Sequence, residues 1–331
     1  MKKKIKALAL LSGGLDSTLA VKLILDQGID VVAVKFTSPF CLCDSGGKCH
    51  AAEVSKKFNI PLKIVTKGEK YLKVIGNPKY GYGSNMNPCI DCRIFMLKKT
   101  KKIAKQIGAK FIFTGEVLDE RPMSQHLKAL KIIEKEVRLE NKILRPLSSK
   151  LLLETEAEMK GWVDRNKLLA IKGRSRKPQI NLAKKFGIND YPCPAGGCLL
   201  TYKEFANKIR DFFKHKKKIS WRDIELLKVG RHFRFGENKI IIGRNEVENK
   251  TLLRLKNKTD YIFDVPDYGS PIAILQGKKT KEVIKITAKL TARYSDAKGD
   301  KVIVKYGNKE PIKKNMMIAP ANQQEITKFR I

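Results

Sequence analysis

At 331 residues and 42% hydrophobic positions, the chain is long enough for about two packed domains and too apolar to be disordered. Its 69 Lys and Arg against 33 Asp and Glu leave a net charge of +36, spread through both halves, which points to a polyanionic partner such as nucleic acid and argues against a single charged tail. No stretch reaches membrane-span length, and the apolar run after Met1-Lys2-Lys3-Lys4 is interrupted by Lys6, so the chain reads as cytosolic and its seven cysteines as metal or redox groups rather than disulfides.

Residues 5–11 read as a buried strand, and 18–27 as a helix closed by Gly28. A second strand (30–36), a helix (51–58), a third strand (62–65), a helix (92–107, stopped by Gly108) and a fourth strand (111–114) follow. Strands separated by helical patterns require parallel crossovers, so a doubly wound parallel α/β sheet of the Rossmann-like kind is expected. Ligands of such sheets lie at the carboxyl ends of the strands. That places residues 12–17, Phe36 onward and Thr114-Gly115-Glu116 on one rim. Two long polar interruptions, 37–50 and 76–88, fall on the same rim and read as walls of an active site. From 121 to 215 the pattern is mostly helical, with 144–147 an edge strand and 174–178 a basic turn. A Pro/Gly loop covers 191–198, and an amphipathic helix covers 202–215. After Trp221 short alternating runs appear at 232–235, 239–242, 261–265, 272–275, 282–285 and 301–306, with one helix near 245–255. These describe a smaller, β-rich α+β domain, and the expected division is 1–215 and 222–331.

Ser12-Gly13-Gly14-Leu15-Asp16-Ser17 carries the clearest chemistry. A strand, a glycine turn and a helix start form an anion site, because glycines admit close approach and the first helical amides are unpaired. No Gly-Lys-Ser/Thr follows, which excludes the lysine-bearing P-loop. The amides of Gly13, Gly14 and Ser17 and the hydroxyls of Ser12 and Ser17 are expected on phosphate oxygens. Asp16 would repel phosphate, so it caps the helix or positions Mg2+. Lys35 and Phe36 at the second strand end, Thr114 and Gly115 at the fourth, and Arg121 and Gln125 at the start of a following helix complete the expected ATP site. Cys89-Ile90-Asp91-Cys92 is a CxxC, and Cys198 adds a third thiol. Three cysteines suit a 4Fe–4S cluster with one open iron, a zinc ion completed by another ligand, or plain thiols. Cys41, Cys43, Cys49 and His50 make either a second, zinc-type site or a loop of reduced thiols, and Cys193 is an extra thiol. Arg174, Arg176 and Lys177 in the basic turn, and Arg231, Arg244 and Asn245 in the second domain, are the expected RNA contacts.

The hexapeptide resembles the PP-loop, SGGxDS, of the ATP pyrophosphatase superfamily. With Pro88-Cys89-Ile90-Asp91-Cys92-Arg93, the run Thr114-Gly115-Glu116-Val117 to Arg121-Pro122-Met123-Ser124-Gln125, and Pro194-Ala195-Gly196-Gly197-Cys198-Leu199-Leu200-Thr201, the chain resembles the tRNA thiouridine synthases of the ThiI kind over residues 4–215. The resemblance implies that ATP adenylates a uridine carbonyl oxygen, pyrophosphate leaves, a sulfur nucleophile attacks the ring carbon and AMP departs. It also implies an iron–sulfur cluster on Cys89, Cys92 and Cys198, a sulfur donor (free sulfide or a sulfur carrier) and a tRNA substrate, with 4-thiouridine the leading product and 2-thiouridine or 2-thiocytidine the alternatives. No THUMP-like segment is expected before the PP-loop, which leaves RNA to the second domain. That domain, over about 230–305, resembles the NFACT-R RNA-binding module through Lys239-Ile240-Ile241-Ile242-Gly243-Arg244-Asn245 and residues 260–270, with Phe263-Asp264 where a Trp-His-like pair is usual. A PP-loop amide ligase on a small substrate and a non-catalytic RNA-binding factor are the rival functions. A homodimer is compatible with either.

Overall fold

The computed structural model describes residues 4–42, 49–191, 197–216, 219–309 and 311–331. Its contacts divide the chain into two compact units, 1–202 and 203–331.

The first unit opens with β1 (Lys6–Leu10), α1 (Leu15–Leu25), β2 (Asp30–Thr37), α2 (His50–Lys57) and β3 (Leu62–Thr66). A short helix α3 (Lys70–Gly76) precedes α4 (Cys89–Ile107), β4 (Phe111–Thr114), α5 (Leu127–Val137) and β5 (Ile143–Leu144). Two further helices, α6 (Glu156–Met159) and α7 (Lys177–Lys185), follow. The five strands form one parallel sheet in the order β3-β2-β1-β4-β5. β1 is apolar along most of its length because its neighbours bury it on both faces. One face is covered by Ala20, Val21 and Ile24 of α1 and Ala51 and Val54 of α2. The other is covered by Ile90, Ile94 and Leu97 of α4 and Ala129 and Ile133 of α5. The doubly wound architecture and its edge strand therefore stand as the sequence predicts, with β5 at 143–144 rather than 144–147. α3 has no expected counterpart; its Tyr71, Leu72 and Ile75 are buried on one face of only two turns, too short a period to stand out.

The second unit begins with α8 (Lys203–His215) and α9 (Trp221–Lys228). They are followed by β6 (Arg231–Phe235), β7 (Asn238–Ile242), α10 (Glu246–Leu255), β8 (Tyr261–Asp264) and β9 (Ala273–Gln276). The last elements are α11 (Lys281–Arg293), β10 (Val302–Gly307), β11 (Lys314–Ile318) and α12 (Gln323–Phe329). The sheet is antiparallel, in the order β11-β10-β8-β9-β7-β6. Residues 282–285, expected as a strand, lie inside α11. Val283, Thr287, Leu290 and Thr291 are buried at helical spacing, and a four-residue window shows too little of that period. The break between units falls after Tyr202 rather than after His215, because Asp211 of α8 is paired with Arg234 of β6 at 2.5 Å. Among the described residues no helix is long and apolar enough to cross a membrane.

Candidate active site

The order of the first sheet reverses between β1 and β4, whose last residues Leu10 and Thr114 lie side by side. That is the switch point at which doubly wound sheets open a crevice, and the PP-loop stands in it. Gly14 is the N-cap of α1, extended and without a side chain to cap it, so the first-turn amides are left for an anion. The loop is held from within. Ser12 Oγ accepts from Gly14 N at 3.2 Å and lies 3.1 Å from Ser17 Oγ, which donates to Gly14 O at 2.9 Å. Gly13 has a left-handed φ of 85°, and a Cβ there would lie 2.5 Å from Ala51 N, so α2 closes over the loop only because the residue is glycine. Gly115 is equally constrained, for its Cβ would lie 2.5 Å from Ser17 N.

Beside the loop lies a group of incompletely matched charges. Arg176 Nη2 donates to Asp16 Oδ2 at 2.5 Å, and its Nε lies 3.8 Å from Glu120 Oε1. Asp16 Oδ1 and Glu120 Oε2 are buried with no hydrogen-bond partner. Burial raises the Asp16 carboxyl above its ordinary range, and Arg176 only partly opposes this. Burial and the charge of Asp16 raise Glu120. Two orphaned carboxylate oxygens of this kind fit a divalent cation, which neutralises both at once. Glu116, four residues before Glu120, differs. Arg145 Nε meets it at 3.1 Å, Arg93 Nε at 3.3 Å and Thr114 Oγ1 at 3.0 Å. Burial alone would raise its carboxyl, but the two guanidiniums and the hydroxyl hold it below the ordinary range. Arg145 is itself shared with Glu134 at 2.5 Å. Glu116 is therefore a buried strut that fixes Arg93, the residue after Cys92, against the end of β4.

The two polar interruptions both fold onto the segment that carries Cys198. Leu42 N donates to Gly197 O at 3.1 Å and Leu199 N to Phe40 O at 2.8 Å, while Met86 N donates to Leu200 O at 3.1 Å. Asn85 Nδ2 adds a bond to Thr201 O at 2.8 Å. This gathers Cys198, Cys41 and the start of α4, with Cys89 and Cys92, around Lys67. The Lys67 ammonium donates to Cys92 Sγ at 3.2 Å and lies 4.5 Å from the Tyr71 ring centroid. Burial would lower Lys67, but the neighbouring Cys92, Cys41 and Cys198 outweigh it and raise it, so it stays an ammonium. Burial, then Cys92, keeps the Tyr71 phenol protonated. Burial pushes the Cys198 thiol up to about 12 and raises Cys89, which Arg93, Arg121 and Lys67 partly offset. Among the described residues no three His, Cys, Asp or Glu side chains group closely enough to hold a single ion, as zinc would need. An iron–sulfur cluster spreads its thiolates over separate iron atoms. Cys89, Cys92 and Cys198, half-buried and backed by cations, fit it by donor type.

Other expected site residues have other surroundings. Cys41 joins Cys198, Cys49 Sγ accepts from Lys35 Nζ at 3.3 Å, and His50 Nδ1 lies 3.2 Å from Glu53. Among the described residues Cys41, Cys49 and His50 form no metal group, and Cys41 and Cys49 meet different partners; Cys43, the fourth member of the expected site, and Cys193 lie outside the described residues. Lys35 is buried at the end of β2, and Phe36 packs against the α4 side of the core. Arg121 is exposed on a turn, since the helix expected there starts only at Leu127, capped by His126, whose ring accepts from Ala129 N. Gln125 is buried with its Oε1 unpartnered. Arg176 faces Asp16 rather than solvent, whereas Arg174 and Lys177 are exposed. Arg231 donates to Gly243 O at 3.2 Å, Arg244 pairs with Glu248 at 2.5 Å, and Asn245 caps α10. Lys67, Tyr71, Arg93 and Glu120 were not foreseen. Only Arg93, adjacent to the CxxC, carried a local signal.

Residues 3–151 match the family model described as thiamine biosynthesis protein (ThiI), and residues 230–330 match that of the NFACT protein RNA binding domain. The tRNA-specific 2-thiouridylase MnmA of Syntrophotalea carbinolica is 35% identical over 127 residues, 35% of this chain and 36% of that protein. A probable tRNA sulfurtransferase of Thermococcus kodakarensis is 31% identical over 157 residues, 43% of this chain and 36% of that one. The chain spans about a third of the length of the curated relatives it matches. A 4-thiouridine synthetase–RNA complex with bound ATP aligns with 67% of this chain and 52% of its own at 21% identity and a TM-score of 0.40, a likeness too low to bear on the site. The chain thus carries a ThiI-family PP-loop domain over residues 3–151 and an NFACT-type RNA-binding domain over residues 230–330.

Proposed function

We propose that the protein is an ATP-dependent tRNA sulfurtransferase, and the observation that carries this is the shared rim: an open anion loop at the switch point and a half-buried group of thiols on the same side of the sheet. The amides at the start of α1 hold phosphate oxygens of ATP while Ser12 and Ser17 keep the loop in shape. Asp16 and Glu120 would hold Mg2+, which neutralises phosphate charge as pyrophosphate leaves. The uridine carbonyl oxygen attacks the α-phosphorus, pyrophosphate departs, and the ring carbon becomes electrophilic with AMP as its leaving group. Cys89, Cys92 and Cys198 would hold a 4Fe–4S cluster, which would supply sulfur at the sulfide level beside that carbon. Arg93 and Lys67 place positive charge beside the thiols and favour their ionised, ligating form. The basic second unit grips RNA, in keeping with its NFACT-type match and the net charge of +36.

The motif resemblance to the ThiI kind of thiouridine synthase favours 4-thiouridine, while the 2-thiouridylase names of curated relatives favour sulfur at the 2-position. Anaerobic incubation of the iron-loaded chain with tRNA, ATP, Mg2+ and sulfide, followed by mass analysis of the nucleosides, separates them. Thiolated nucleoside with equimolar pyrophosphate is expected. Pyrophosphate release without tRNA would favour the amide ligase, and RNA binding with no turnover the non-catalytic factor.

A further inference from the structure

Cys41 and Cys198 face each other in an antiparallel bridge closed on one side by Leu42 N to Gly197 O and on the other by Leu199 N to Phe40 O. Facing residues inside such a pair of bonds are the non-hydrogen-bonded kind, with Cα atoms about 4.5 Å apart and side chains on one face. That separation lies within the roughly 4.4–6.8 Å over which two cysteines can be joined without moving the backbone. Lys67, whose ammonium donates to Cys92 Sγ at 3.2 Å, is tied by its backbone N–H to Thr37 O at 3.0 Å, one residue before the Ser38 that meets Cys41. The Cys41 thiol, 3.2 Å from Ser38 Oγ, therefore shares the thiol pocket, while Cys49 is turned to Lys35.

We propose that Cys41 is a fourth thiol of this centre, a ligand to the cluster that Cys89, Cys92 and Cys198 hold. The proposal rests on the iron–sulfur assignment above. Cys41 would hold the position that three cysteines leave open, where its thiolate and a sulfide anion would compete one for one.

Two arms test this on the full chain. In the first, iodoacetamide labelling is mapped by peptide mass spectrometry before and after anaerobic loading with iron and sulfide. Cys41 is expected to lose its reactivity together with Cys89, Cys92 and Cys198, while Cys49 keeps its own. After one-electron reduction with dithionite, Cys41→Ala carrying the same iron is expected to shift its electron paramagnetic resonance signal on adding imidazole, as the wild type does not. Unchanged labelling of Cys41 beside three protected cysteines overturns the proposal and leaves the cluster standing. Labelling of all four in an iron-loaded sample overturns the cluster assignment and the proposal together. In the second arm the metal-free chain is treated with hydrogen peroxide. The thiols of Cys41 and Cys198 give up two protons and two electrons, an S–S bond forms, and the peroxide becomes two waters. A Cys41–Cys198 cross-linked peptide is expected. Its absence overturns the pairing whatever happens with iron.

Discussion

Glu116 and Glu120 lie four residues apart on the same strand-end segment, both nearly out of solvent, and they have opposite fates. Glu116 is met by two guanidiniums and a hydroxyl, and its carboxyl is held below the ordinary range. Glu120 has one distant guanidinium on either side, an orphaned oxygen and a raised carboxyl, beside an Asp16 in the same condition. Burial is common to both, and each keeps one oxygen without a hydrogen-bond partner, Glu116 Oε1 and Glu120 Oε2; the charge that faces each distinguishes them. A buried carboxylate whose charge is met by close guanidiniums belongs to the architecture, and one left short of charge marks where a ligand completes the site.

The largest effect expected of this contrast is on folding. Glu116→Gln leaves Arg145 and Arg93 facing an amide in a dry setting, and breaking a buried pair on one side costs about 3–5 kcal/mol. Chemical denaturation should show that loss, and a variant as stable as the wild type would mean that Glu116 is no strut. Glu120→Gln should fold normally. Its effect should appear as weakened Mg2+ dependence of pyrophosphate release, by about tenfold or more, the scale seen when groups around a metal are altered. The two substitutions make the same chemical change, so equal stability losses would erase the contrast.

Acid titration sharpens it further, with smaller amplitude. For Glu116 the folded carboxyl is lowered, so its stabilisation is complete above the unfolded value and is lost as pH falls through the folded one. For Glu120 and Asp16 the folded carboxyls are raised. The folded state then binds protons more tightly, and ionisation costs stability as pH rises from the ordinary carboxylate range through the raised values. Denaturation midpoints between about pH 4 and 7 should therefore climb with pH less steeply in the wild type than in Glu120→Gln. Identical slopes would show that Glu120 is not held out of balance.

This contrast marks where sequence reading stopped. The parallel sheet and its rim were legible because β1, β2 and β4 are short apolar runs separated by helical periods, and Ser12 to Ser17 is a local signal. The CxxC was legible for the same reason. Arg176 beside Asp16, Arg145 beside Glu116 and Lys67 beside Cys92 were not, since each joins residues 25 to 160 positions apart. Cys41 was grouped with Cys43, Cys49 and His50 because they are near in sequence. The ladder between residues 40–42 and 197–199 reassigns it, and no local pattern announces a two-bond ladder between loops. The strand expected at 282–285 failed by window length, because four residues alternate equally well in either period.

The same rule extends to the cations, where the expected effects are smallest. Arg244 is committed to Glu248, and Arg231 to Gly243 O and the Tyr294 ring, 4.4 Å from its guanidinium carbon. Arg174 and Lys177 are exposed on either side of Arg176, which is itself bound to Asp16. If the matching of charge separates architecture from site, Arg244→Ala costs about 0.3–0.5 kcal/mol of stability, the worth of an exposed i,i+4 pair, and leaves the salt dependence of tRNA binding unchanged. Replacing Arg174 and Lys177 together by alanine should instead lower the slope of log affinity against log salt by about 2, one for each phosphate no longer neutralised. Because Arg176 ties this turn to the PP-loop, the two side chains would set RNA phosphates beside the proposed ATP site. A slope that falls for Arg244→Ala and not for the double variant would place the RNA on paired cations and break the rule at the surface, while leaving it intact for the buried carboxylates.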